Sequence, residues 1–357
     1  MSSKNDSRFD LSENELEFYS RQIVLSELGY NAQVKLKKSK VCVLGLGGLG
    51  SPVSTQLAAM GVGYLRLVDR DIVELSNLHR QHIYSVNQLG YPKVEVASER
   101  IQNLNPYIEV EPLPVSISQD TAEQIIADMD LVVDGLDSIE PRYAINRACI
   151  KLEIPYVFGA AITTLGNTST IIPGETPCLE CFYGNLSDEN LPSCGVVGVH
   201  PSILSLIASV EVSESIRILI GRQPKLSNKL LYCDIENLTF DVIQLAKAEK
   251  CPVCGIEPDK PPQPLSSDFV EETCSRNGER VFVIAPKKIL KIELKSLNKR
   301  LKDIGLKIKL KTKMSTTFTE NKKNEISILE SGIMILKGIE NKKEAVSIYE
   351  SIIGDEK

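Results

Sequence analysis

Through the first 160 residues, apolar positions fall into short unbroken runs separated by stretches of helical period. Lys40–Gly45 (KVCVLG), Tyr64–Asp69, Ile108–Val110, Asp130–Asp134 and Pro155–Ala160 read as strands buried on both faces. Ser51–Met60, Lys93–Leu104 and Ala122–Met129 read as helices between them. Ser12 and Glu15 have capping-box spacing and open an earlier helix that carries Phe18, Tyr19, Arg21, Gln22 and Ile23. Strands alternating with helices across short loops predict an α/β protein with a Rossmann-like, doubly wound, mostly parallel sheet. In such sheets ligands bind beyond the carboxyl ends of the strands.

After Gly166 the pattern changes to short strands, two cysteine pairs and a long helix from about Ser202 to Ile220. Ile256–Leu265 (IEPDKPPQPL) holds four prolines and reads as a semi-rigid linker. Beyond it lies a third pattern. Val281–Ile284 is a strand, and Leu294, Leu297, Leu301 and Ile304 share one helical face. Leu306, Ile308 and Leu310 alternate with Lys307, Lys309 and Lys311, as in a half-buried strand. Ala345, Ile348, Tyr349, Ile352 and Ile353 form the stripe of a closing helix. The expected organisation is therefore a first domain at 1–255, a linker at 256–267 and a small C-terminal α+β domain at 268–357.

Charge supports the division. The 357-residue chain carries a net −6, but residues 265–357 balance at +5 and the remainder at −11. Lys287–Lys313 alone has eleven basic and two acidic residues. Alternation with apolar positions makes this a solvated face; docking of an acidic protein or of tRNA is the functional option. Sparse aromatics (Phe282, Phe318, Tyr349) argue against stacking on single-stranded bases. No apolar run approaches the ~20 residues of a membrane span, and the polar first forty residues read as no signal peptide. Nine cysteines without a disulfide pattern suit a reducing, cytoplasmic setting.

Four of those cysteines stand in two CxxC pairs, Cys178/Cys181 and Cys251/Cys254, with 69 residues between the pairs. Together they supply four soft ligands for a closed tetrahedral zinc site that staples a late segment onto an earlier loop; two separate redox or buried pairs are the plainer alternative. Cys42 lies inside the first strand and reads as core, and Cys149, Cys233 and Cys274 as structural.

Gly45, Gly47, Gly48 and Gly50 (GLGGLG) follow the first strand directly, as a phosphate-binding turn would. Asp69 lies 24 residues after Gly45, where an acid can hold ribose hydroxyls. A dinucleotide dehydrogenase fits those facts equally well. The following segment, DRDIVELSNLHRQ, favours a triphosphate. Asp69 and Asp71 are acids; Asn77, Arg80 and Gln81 are donors; Lys93 opens the next helix within reach of a phosphate. Asp137, in Asp134-Gly135-Leu136-Asp137, sits just past a strand end, where a carboxylate can hold Mg²⁺. This set reads as an ATP site working by positioning and charge neutralisation.

With these motifs the chain resembles the ThiF/MoeB/HesA family, prokaryotic relatives of ubiquitin-activating enzymes. The likeness covers roughly residues 11–255 and rests on YSRQ (19–22), GLGGLG (45–50), VDRDIVELSNLHRQ (68–81), GYPKVE (90–95), DGLD (134–137), CLEC and CPVC. It departs from the family pattern at Phe18, His79 and Ser138. The resemblance implies adenylation, with ATP and Mg²⁺, of the C-terminal glycine of a small ubiquitin-like or sulfur-carrier protein. The activated carboxylate then passes towards sulfur transfer or protein conjugation. It also implies ribose at Asp69, phosphates at Arg80 and Lys93, metal at Asp137, and Arg21 reaching the other subunit of a homodimer. Cys194 falls where relatives have an acceptor cysteine, which suits a nucleophile; a packing residue is the alternative. A non-catalytic nucleotide-binding scaffold is the competing reading of the whole.

Overall fold

The computed structural model describes residues 10–184, 186–188, 197–265, 269–274, 280–319 and 324–354. They build two sheets. In the first, strands β1 (Lys40–Leu44), β2 (Tyr64–Val68), β3 (Glu109–Leu113), β4 (Leu131–Asp134), β5 (Tyr156–Ile162), β6 (Leu165–Ile171), β7 (Lys229–Asp234) and β8 (Thr239–Gln244) lie in the order β3-β2-β1-β4-β5-β6-β7-β8. Pairing is parallel from β3 to β5 and antiparallel from β5 to β8.

β1 is apolar after Lys40 because both of its faces are covered. Val41 and Val43 enter one layer, with helices α3 (Gly29–Lys38), α4 (Gly50–Ala59), α5 (Lys93–Leu104) and α9 (Pro201–Leu219). Cys42 and Leu44 enter the other, with α6 (Ala122–Ile126), α7 (Ile139–Leu152) and the cysteine lobe around α8 (Leu179–Phe182). The doubly wound, mostly parallel architecture expected from the sequence is present. Short helices α1 (Glu13–Phe18) and α2 (Ser20–Ile23) precede α3, and the Ser12/Glu15 capping box is formed. α6 is shorter than the pattern suggests: it stops at Ile126, and Asp128 turns the chain with φ 62°. Cys42, Cys149 and Cys233 are buried thiols. Among the described residues, no helix is long and apolar enough to cross a membrane.

The second sheet is antiparallel, in the order β11-β12-β13-β14-β10-β9. Its strands are β9 (Val270–Cys274), β10 (Arg280–Ile284), β11 (Lys307–Lys311), β12 (Ser315–Thr319), β13 (Glu325–Leu329) and β14 (Met334–Lys337). Helices α10 (Leu294–Asp303) and α11 (Lys342–Ile353) cover one face, with Leu297, Leu301, Phe318, Ile326 and Tyr349 at its core. Ile304 lies beyond α10 and is exposed, because the helix ends before the stripe reaches it. Lys307, Lys309 and Lys311 point to solvent from the edge strand β11, where charge discourages further strand pairing.

Among the described residues, one buried carboxyl group has no partner. Glu211 on α9 is fully buried, both carboxylate oxygens lack a hydrogen-bond partner, and the carboxyl group lies against Gly159 of β5. Burial, reinforced by Asp134 and opposed by Arg142, pushes its pKa well above the usual carboxylate range. Folded Glu211 therefore keeps its proton after the unfolded chain has lost it, near pH ~4.3. Above that pH the unfolded state gains, so Glu211 lowers stability by about 1.4 kcal/mol per pH unit until the folded group ionises. Glu211→Gln is expected to remove this slope. Urea unfolding of both proteins between about pH 5 and pH 7 should show the variant's advantage widening with pH; parallel profiles would contradict the protonated assignment.

Candidate functional site

β1 lies between β2 and β4, the point at which the strand order reverses. The loops after β1 and β4 therefore diverge and open a crevice at the strand ends. The glycine loop follows β1, and Gly135-Leu136-Asp137 follows β4. The two turns touch. Gly45 has φ +75°, and a Cβ there would lie 2.7 Å from the Gly135 carbonyl oxygen. A Cβ on Gly50 would meet the Gly45 carbonyl oxygen at 1.7 Å, so the start of α4 packs against the loop only as glycine. A Cβ on Gly48 would meet only the end of the Leu204 side chain of α9, at 2.5 Å, which can shift, and Gly47 faces Gln81 with room for a Cβ.

Asp69, one residue past β2, has a nearly covered side chain and does more than sequence spacing suggests. Its Oδ2 accepts from the Leu46 backbone N–H at 2.7 Å, and its Oδ1 accepts from the Asp71 N–H at 2.8 Å. The carboxylate ties the glycine loop to β2 and still has lone pairs for a ribose hydroxyl. Tyr84 adds a second tie, donating its hydroxyl to the Leu46 carbonyl at 2.9 Å. Lys93, at the first position of α5, is buried with its Nζ 2.8 Å from Asp71 Oδ2 and 3.9 Å from Asp69 Oδ2.

The charges of this cluster set one another. Burial lowers the affinity of Lys93 for its proton, but Asp69, Asp71 and Asp137 together hold the ammonium above its ordinary value. Burial likewise raises Asp71, yet Lys93 and Arg70 bring that carboxyl below the usual range. Asp69 stays raised: burial and the Asp71 charge outweigh Lys93. Lys93 is thus a fixed cation inside an acidic pair.

Gln81 is buried in the same crevice, and its Oε1 has no hydrogen-bond partner in the structure. Arg80 donates to the Ser76 carbonyl at 2.9 Å, and Asn77 Oδ1 caps its own 3₁₀ turn by accepting from the Glu74 N–H. Part of the donor set expected for phosphate is therefore used to shape the loop. Asp137 is exposed and makes no hydrogen bond or ion pair with a described residue. Its loop is rigid beneath it. Buried Asp134 accepts from Arg142 Nε at 3.0 Å and from the Tyr156 hydroxyl, while Arg142 also donates to the Leu136 and Gly159 carbonyls. Asp188 caps α7, accepting from the N–H groups of Ile139 and Glu140. A free carboxylate on a held loop suits Mg²⁺, which takes one or two protein carboxylates and leaves its other positions to water and phosphate.

The four CxxC sulfurs converge, all within 4.8 Å of one another. Cys178 and Cys251 sulfurs stand 3.7 Å apart, Cys181 and Cys254 3.3 Å. Four thiolates bound at about 2.3 Å around one tetrahedral ion would lie about 3.8 Å apart, so the cluster fits a metal with little adjustment. Arg21 is exposed on α2, and the described contacts do not bring it to the strand-end cluster. Cys194 lies outside the described residues.

Sequence reasoning missed the Asp134–Arg142–Tyr156 support and the contacts from the second sheet. Arg70 Nη1 and Nη2 donate to Glu271 Oε1 and Oε2 at 2.7 and 2.5 Å, and Lys337 pairs with Glu74 at 2.5 Å. Such separations, 201 and 263 residues, leave no local signal.

The ThiF family model matches residues 19–253. A sulfur carrier protein adenylyltransferase from Thermus thermophilus is 37% identical over 253 residues, 69% of this chain and 93% of that protein. The molybdopterin-synthase adenylyltransferase of Escherichia coli is 37% identical over 248 residues, 69% and 99% of the two chains. The adenylyltransferase and sulfurtransferase MOCS3 of Culex quinquefasciatus is 38% identical over 250 residues, but the chain spans only 57% of its length. The crystal structure of E. coli MccB with ATP shares the fold, with a TM-score of 0.59, 24% identity and coverage of 67% and 74%. By the family match and by the near-complete coverage of its adenylyltransferase relatives, this chain belongs to the ThiF family.

Proposed function

We propose that the chain uses ATP to adenylate the C-terminal glycine of a small ubiquitin-like sulfur-carrier protein. The carrier's terminal carboxylate oxygen attacks the α-phosphorus; the bond to the leaving pyrophosphate breaks, and an acyl-adenylate forms. The observation that carries the reading is the meeting of the glycine loop, Asp69, Asp71, Lys93, Gln81 and Asp137 at the switch point of a ThiF-family sheet.

In this reading Asp69 binds the ribose and the glycine loop admits the triphosphate closely. Lys93 and Arg80 offset phosphate charge, and Gln81 and Asn77 donate to phosphate oxygens. Asp137 holds Mg²⁺, which when bound neutralises charge on the triphosphate. Zinc at Cys178, Cys181, Cys251 and Cys254 is structural, because four thiolates leave no open position. Exposed Val24 and Leu25 beside Arg21 support a homodimer in which Arg21 serves the partner's site. The exposed edge strand β8, with Phe240 and Val242 in the open, supports a docking edge for the carrier. Cys194 is the proposed acceptor of the activated acyl group, on the sequence argument alone.

Incubation with ATP, Mg²⁺ and a ubiquitin-like protein ending in Gly-Gly should give a carrier bearing AMP, visible by intact-mass spectrometry. Removal of the carrier's last glycine should abolish it. AMP on the truncated carrier, or none on either, would contradict the proposal.

A further inference from the structure

The second sheet closes on the stretch from Arg70 to Glu95, which carries Asp71, Asn77, Arg80, Gln81 and Lys93. Ile72, three residues past Asp69, is buried in an apolar cluster whose other members, among them Val283, Ile333 and Ile335, all come from the second unit. Glu74 pairs with Lys337 of β14 at 2.5 Å while its own N–H donates to Asn77 Oδ1 at 3.3 Å. Glu95 of α5, two residues after Lys93, accepts from the N–H groups of Lys313 and Met314, both at 3.1 Å. Met314 itself is buried in the core to which α5 contributes Val94 and Ala97. The ThiF match ends at residue 253, before this sheet begins, so these ties are additions to the shared fold.

They change how the stretch is held. Its backbone closes on itself near both ends, with the Val73 N–H on the Tyr91 carbonyl at 2.8 Å and the Lys93 N–H on the Asp71 carbonyl at 2.9 Å. Ile72, however, has its apolar cover only while the second sheet is docked, and the Glu95 carboxylate has its two backbone donors only then. Undocking would put Ile72 in water and strip Glu95 of both donors. The two flank the nucleotide residues: Ile72 follows Asp69 and Asp71, and Glu95 follows Lys93. An opening that costs contacts at both ends of a segment is a cooperative one, and a ligand bound to the closed form alone makes it rarer.

We propose that Ile72, Glu74 and Glu95 are positioning residues through which the second sheet holds the Asp69–Lys93 stretch in its nucleotide-binding conformation, so that docking and nucleotide binding stabilise each other. Linkage makes the effect reciprocal: whatever docking adds to nucleotide affinity, bound nucleotide adds to docking. This role rests on the ATP-site reading given above and deepens it.

Hydrogen exchange of the wild-type chain, with and without the magnesium complex of α,β-methylene ATP, tests this without turnover. The Lys313 and Met314 amides, which donate across the junction, are the reporters. At a nucleotide concentration about 100 times its Kd, their exchange through undocking should slow by up to about 100-fold. Ile335→Asp places a carboxylate in the cluster around Ile72 and is expected to undock the sheet, while the face under α10 and α11 is left intact. With undocking shown by fast Lys313 exchange, calorimetric nucleotide affinity should fall about tenfold, a binding-competent fraction near a tenth. Exchange at both amides that ignores bound nucleotide would overturn the proposal, as would an undocked Ile335→Asp chain that binds as tightly as wild type. Melting curves separate undocking from loss of fold; should the variant not fold, the wild-type exchange result decides alone. If the wild-type chain does not bind the nucleotide by calorimetry, it is the ATP-site reading that fails.

Discussion

Asp137→Ala is expected to lower carrier-dependent pyrophosphate exchange by about 10²–10³-fold, the scale of removing one preorganised charge-stabilising group from an active site. The variant should melt close to wild type, because surface substitutions away from structural features usually change stability by less than about 0.5 kcal/mol. Asp137 is exposed and makes no hydrogen bond or ion pair with a described residue, so its removal leaves no buried group stranded. Its neighbour gives the contrast. Asp134 is fully buried and paired with Arg142, and its removal would leave a guanidinium unpaired in the core. Two carboxylates three residues apart are thus predicted to have separable roles, one for the substrate's metal and one for the loop. Unchanged exchange in Asp137→Ala would refute the metal assignment.

Loss of the cysteine cluster should act through the fold. Cys251→Ser is expected to abolish binding of the zinc ion proposed for the cluster and to unfold the lobe around Cys178–Phe182. Structural zinc in finger peptides carries apparent binding energies of about 10–16 kcal/mol, as large as the whole stability of a typical domain, about 5–15 kcal/mol. The lobe is not peripheral. Cys178, Leu179 and Cys251 are buried in the same core as Cys42, Leu44, Val132 and Phe158. Glu180, next in line, pairs with Arg147 of α7, the helix that begins just after Asp137. Metal loss should therefore disturb the loop that presents Asp137 as well as the lobe. Zinc content near one per chain for wild type and near zero for the variant, with a large fall in melting temperature, is the expected pair of results. Equal melting curves with and without metal would contradict the structural role.

The parallel strands were legible because burial on both faces demands unbroken apolar runs, as in Val41–Leu44. The long helix was legible from its length, and the Ser12/Glu15 box from its spacing. Strand β12 was not: Ser315, Thr316 and Thr317 are buried polar residues, and Thr317 is satisfied by the Ser327 hydroxyl across the sheet. Binary patterning cannot see a polar residue whose partner lies on another strand. α7 was hidden for a related reason. Pro141 sits in its first turn, where it is tolerated, and Arg142 is buried only because Asp134 neutralises it.

The candidate site divides along the same line. Its glycine loop, Asp69, Lys93 and Asp137 follow strand ends and helix starts, which the sequence marks. The second use of Asp69 as a tie for Leu46, the local capping by Asn77 and the grip of Glu271 on Arg70 are tertiary events, invisible in local spacing.

The most direct test of the central claim is exchange of labelled pyrophosphate into ATP by the purified chain, with and without a ubiquitin-like protein ending in Gly-Gly. The account requires exchange that depends on the carrier and on its terminal glycine. Absence of exchange with every such carrier, or exchange of equal rate without one, would contradict it.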